Sequence, residues 1–199
     1  MISTLSKKHS FDLVFDSQKV FRLILKAMSN PARVVRIRKY ADALFGDQPM
    51  FLALAITLLD NEVSFNTCEN QSLSAEITSL TLTRRAGLES ADFVFVSNPN
   101  RIKEVIGNVK HGTLSDPHKS ATVIIRNDDE PNRLLTLSGP GIDCCVEILA
   151  SNTVVDAILC RNEQNYEYPQ GIDLIFISSA GELLAIPRLV SLSAEACKE

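Results

Sequence analysis

The sequence predicts an α/β fold, a mixed sheet covered by helices, and three observations carry that prediction. Ile172, Leu174, Ile175, Phe176 and Ile177 form a near-continuous apolar run, which suits a strand covered on both faces. The Ser-Ala-Gly-Glu break at 179–182 reads as a hairpin turn, and Leu183 to Ile186 return along the sheet until Pro187, which lacks the amide hydrogen a central ladder needs. Upstream, apolar stripes of helical period interleave with short β-branched runs, with no repeat or low-complexity segment between them.

The first helix is expected over Ser17–Ser29, where Phe21, Ile24, Leu25 and Met28 fall at i, i+3, i+4, i+7. Asp16 or Ser17 caps it and Asn30-Pro31 ends it. Basic and β-branched residues alternate over Arg33–Lys39, as on a strand whose outward face is charged; a solvated sheet edge explains this better than a binding patch. A second helix spans Pro49–Leu59, with Leu52, Ala55, Ile56 and Leu59 on one face. Val63–Phe65 reads as a strand, Ser72–Leu82 as a helix buried through Leu73, Ile77 and Leu80, and Ala91–Val96 as a strand. Arg101–Ile106 restarts as a helix after Ser-Asn-Pro-Asn. Thr122–Ile125 and Leu134–Leu137 flank a polar turn and are expected to form a hairpin. Gly139-Pro-Gly141 turns the chain, and a helix over Thr153–Leu159 leads to the terminal strand pair.

A chain of 199 residues accommodates one domain with a full core. Its 45% hydrophobic and 22% charged residues exclude disordered and fibrous classes. The net charge of −4 argues against nucleic acid as the main partner. No stretch approaches the roughly 18 apolar residues of a membrane span, and no apolar signal core follows the first lysines. Cys68, Cys144, Cys145, Cys160 and Cys197 lack metal-site or redox spacing, so packed or half-exposed thiols in a reducing cytoplasm are expected.

The common signatures of autonomous nucleotide, hydrolase and zinc chemistry are absent. His111 and His118, beside Asp116 in a Gly/Pro-containing loop, lack the third ligand at short spacing that zinc loops offer, so no metal is expected. Gly139 and Gly141 permit close approach of a phosphate to backbone amides, or simply a turn with positive φ. Arg188, placed by Pro187 just past a buried strand, forks onto a phosphate or a partner carboxylate, or forms a surface salt bridge. Arg188→Ala is accordingly expected to spare folding.

Phe21-Arg-Leu-Ile-Leu-Lys-Ala-Met-Ser-Asn-Pro31, His111-Gly-Thr-Leu-Ser-Asp-Pro117 with Ser120-Ala-Thr122, Leu137-Ser-Gly-Pro-Gly-Ile142, and Gly171-Ile-Asp-Leu-Ile175 to Ile186-Pro-Arg188 resemble, in that order, the H-subunit family (PhnH) of the bacterial carbon–phosphorus lyase system. The resemblance runs over about residues 16–189 of a single domain spanning 1–199. It implies a fold related to the large domain of pyridoxal-phosphate-dependent transferases but without that cofactor. Lys26, Lys103, Lys110, Lys119 and Lys198 each sit on a polar face or loop, unlike the desolvated amine a Schiff base needs. The resemblance further implies a cytoplasmic complex with the G, I and J subunits. That complex replaces the adenine of ATP with an alkylphosphonate to give a ribose 1-alkylphosphonate 5-triphosphate.

In this reading the chain is an assisting, non-catalytic subunit, and a homodimer when its partners are absent, since a subunit built for a complex leaves an apolar surface to cover. The rival reading is a stand-alone enzyme acting on a phosphorylated metabolite, with Arg188 and the Gly139 loop as phosphate clamps and His111 as acid/base. Ala32 departs from the family, where glycine usually follows the proline, as do His118 for glutamate and Gln170 for leucine.

Overall fold

A computed structural model describes residues 9–193. Its centre is a seven-stranded sheet. β2 (Ser64–Asn66), β3 (Arg84–Arg85), β4 (Phe93–Val96), β5 (Thr122–Arg126) and β8 (Asp173–Ile177) run parallel in the spatial order β3-β2-β4-β5-β8. The expected terminal hairpin forms: β9 (Glu182–Ile186) lies antiparallel to β8 with Ile175 opposite Ala185. The two-residue β1 (Val35–Arg36) closes that edge.

Side chains alternate between two cores. Along β8, Leu174 and Phe176 enter one and Ile175 and Ile177 the other, as a period of two requires. Neither face meets water, which is why this strand is apolar from Leu174 to Ile177. The first core is closed by α1 (Phe15–Ser29), α2 (Arg38–Ala41), α3 (Pro49–Leu58) and α4 (Gln71–Thr81). The second is closed by α5 (Ile102–Asn108), α6 (Asn152–Glu163) and a small antiparallel sheet, in which β6 (Arg133–Ser138) lies between β7 (Val146–Ala150) and β10 (Ser191–Leu192). Helices thus cover both faces of a mixed sheet.

Several expectations are corrected. β5 and β6 form no hairpin, because β4 and β8 already pair with both edges of β5 and send β6 to the second sheet. β3, β7 and β10, two of them only two residues long, gave no sequence signal. The Arg33–Lys39 strand shortens to Val35–Arg36 before α2 begins, although Val35 and Ile37 are buried and Arg36 and Arg38 exposed. That alternation sits on an edge strand, where solvated charge is expected.

The buried face of α1 is Val20, Ile24 and Ala27, whereas Phe21 and Leu25 are 49% and 55% exposed. Its first turn is held by Asp12, whose carboxylate accepts from the amides of Val14 and Phe15 at 2.9 and 2.8 Å, while Asp16 reaches back to accept from the Asp12 amide at 3.1 Å. In α3, Met50 through Ala55 are all buried, so that helix has no solvent stripe along its first part. Cys68, Cys144 and Cys160 are free thiols, but Cys145 is disulfide-bonded, contrary to the expectation of ordinary thiols throughout. Cys197 and Lys198 lie outside the described residues. Among the described residues, no helix is long and apolar enough to cross a membrane.

Candidate functional site

Strand β8 begins with Asp173, an acid at the head of an apolar run and nearly buried in the structure. Its carboxylate is claimed by Arg188, just past β9. The Arg188 backbone amide donates to Asp173 Oδ1 at 2.8 Å, Nε to the same oxygen at 3.3 Å and Nη2 to Oδ2 at 2.6 Å, while Nη1 donates to the carbonyl of Pro117. The pair is a planar fork on a carboxylate. With side chains 21% and 10% exposed, it is largely sheltered, unlike a surface salt bridge.

Arg161 reaches the same region from α6. Its residue is only 3% exposed, and its guanidinium donates to the carbonyls of Ile186, at 3.2 Å, Pro187, at 3.0 Å, and Val190. Burial pulls its pKa down to about 10, with the nearby Asp173 charge acting in the opposite sense. It remains charged at neutral pH. Arg161 and Asp173 were missed in the sequence, yet a signal exists for the first: Val154, Ala157, Ile158 and Arg161 share the buried stripe of α6.

Gly139 adjoins this turn. A Cβ on Gly139, whose φ is +137°, would lie 2.6 Å from the Leu189 carbonyl oxygen and 2.9 Å from the Val190 Cα. Glycine is required there by close packing of two chain segments. Gly141 instead abuts the end of α1, its added Cβ falling 2.9 Å from the Ser29 carbonyl oxygen. The structure therefore brings Gly139 and Arg188 to one end of the sheet and directs Gly141 elsewhere. His111 stacks on Tyr166 with centroids 4.9 Å apart, and the Gly171 amide donates to the His111 carbonyl at 3.0 Å. His118 points toward Asp116, 4.0 Å away, in an ion pair that requires protonation. No group of three potential metal ligands assembles among the described residues.

Two concavities adjoin here. One of about 230 Å³ is lined by Arg161, Arg188, Asn162, Asn165, Tyr166 and Gln170, among others. The next, about 320 Å³, shares Asn165, Tyr166 and Gln170 and extends to His111 and Glu167. The opposite, carboxyl edge of the parallel strands is where open α/β sheets usually hold ligands. There polar side chains mostly bind one another: Asn70 donates to Ser97 at 3.2 Å, Ser97 to Gln48 at 2.8 Å, and Arg126 to Asp128 at 2.5 Å.

A doubly covered mixed sheet with a guanidinium–carboxylate clasp at the amino edge of its parallel strands defines the class as an α/β protein with a polar, ion-paired end. Residues 9–193 match the family described as bacterial phosphonate metabolism protein (PhnH), and the chain belongs to that family. It is also 31% identical over 174 residues, 86% of this chain and 83% of its relative, to a putative C-P lyase subunit protein, HtxG, of Stutzerimonas stutzeri.

Proposed function

We propose that the chain is an assisting subunit of a carbon–phosphorus lyase complex in phosphonate breakdown, working with the G, I and J subunits in the cytoplasm. In this role it helps form a ribose 1-alkylphosphonate 5-triphosphate from ATP and an alkylphosphonate. The observation that carries the reading is the family membership across residues 9–193. A relative whose name is that of a C-P lyase subunit supports it. The same reading takes the fold as a relative of the large domain of pyridoxal-phosphate-dependent transferases that works without the cofactor. Consistent with this, Lys110 is committed to Asp92 at 2.5 Å and Lys119 to Asp116 at 3.1 Å, so neither offers the free, desolvated amine of a Schiff base.

Arg188 and Gly139 remain the proposed contacts to a phosphate or partner, whereas Gly141, packed against Ser29 and Pro31 at the end of α1, leaves that set. Purified chain incubated alone with ATP and methylphosphonate is expected to release no adenine. Adenine released by the chain alone would establish the rival, a stand-alone enzyme with His111 as acid/base.

A further inference from the structure

Two guanidiniums lie at the amino edge of the sheet, and the carboxylate near both of them, Asp173, pairs with only one. Asp173 is spent on the Arg188 fork, and the recorded hydrogen bonds of Arg161 all go to backbone carbonyls. A buried cation without a full counter-charge is costly, and an anion that reaches it recovers part of that cost. Arg161 and Arg188 line the hollow of about 230 Å³, so such an anion has room. The adjoining hollow supplies the aromatic wall of Tyr166 and His111, and amides from Asn165 and Gln170 bridge the two. Glu167 lines only the outer hollow, which orients an anion toward the arginine end.

We propose that this double hollow binds a small organic oxyanion, its phosphoryl or phosphonyl group against Arg188 and Arg161 and its remaining part along Tyr166. The choice of phosphonyl chemistry rests on the phosphonate-metabolism reading; the charge arrangement does not. Stacking of a planar group on Tyr166 makes adenosine monophosphate the stronger ligand if the source is a nucleotide. Methylphosphonate and inorganic phosphate fill only the inner hollow.

The test is calorimetric titration of the purified chain with adenosine monophosphate, methylphosphonate and inorganic phosphate, each separately. Saturable binding of at least one probe is expected. Asn162→Asp is the decisive variant, because Asn162 is exposed on the rim of the inner hollow and its replacement adds a carboxylate there without disturbing the core. It is expected to weaken binding about tenfold while leaving the melting temperature unchanged. Tyr166→Leu reduces the nucleotide's affinity to that of inorganic phosphate if the ring is engaged. Binding of none of the probes at millimolar concentration, or equal binding by Asn162→Asp and the parent, overturns the site. A chain that assembles with the other subunits yet binds no probe refutes this site alone, whereas binding without assembly refutes the functional reading and leaves the site standing.

Discussion

Arg188 ties the segment after β9 to Asp173 and Pro117, and Arg161 holds the same segment through the carbonyls of Ile186, Pro187 and Val190. The geometry replaces the expectation that Arg188→Ala spares folding. Removing the side chain takes away the guanidinium and leaves the sheltered Asp173 carboxylate only the backbone amide of residue 188, at a cost of about 3 kcal/mol. Denaturant unfolding should register that loss, and the double variant with Asp173→Asn should lose less than the two single losses combined. Equal stability of Arg188→Ala and the parent would mean that the fork contributes nothing. How legible this was differs by residue. Arg188 stood out because a proline and an apolar strand precede it, and Arg161 was visible in principle as a cation on a buried helical stripe. The partnership of either with position 173 was not visible, because it depends on the β8–β9 hairpin delivering Arg188 beside the start of β8.

At the scale of elements, runs with a strong period were readable and pairings were not. The apolar β8 and its return strand were readable as a hairpin, whereas β6 looked like a partner for β5 until the parallel neighbours of β5 are known. The stripe on α1 was misread by one position, since Phe21 and Leu25 are as apolar as the residues that face the core. The connection from α1 to β1 contains a local mismatch: Ala32 sits at φ +75°, in the left-handed region that costs a residue with a Cβ about 1–2 kcal/mol. Ala32→Gly relieves that strain at some cost in unfolded-state entropy, and thermal unfolding should show a net gain of about 0.5–1 kcal/mol.

Asp92, just before β4, accepts from Ser64 at the start of β2 and from Lys110, cross-linking the amino ends of the parallel strands. Burial works against its charged form, but the bonds from Lys110 and Ser64 outweigh it and hold its pKa below the usual 3.8. A carboxyl lowered on folding contributes stability above its unfolded pKa and loses it as pH falls through the folded value. Stability is therefore expected to fall below about pH 4. Asp92→Asn should flatten that acid limb; an unchanged limb would remove Asp92 from its causes.

For the molecule as a whole, Val14, Phe21 and Leu25 form an exposed apolar stripe along α1, next to exposed Leu13 and Phe15. Apolar surface gathered in this way favours association. We expect the isolated chain to be a homodimer at micromolar concentration, and Phe21→Glu combined with Leu25→Glu to shift light scattering toward monomer. The central claim, that this chain serves phosphonate breakdown as a subunit, is tested most directly by co-expressing it, tagged, with the G, I and J subunits and measuring what the tag retains. The account predicts a stoichiometric assembly containing all four proteins. Retention of the tagged chain alone, with the other three assembling without it, would contradict the account.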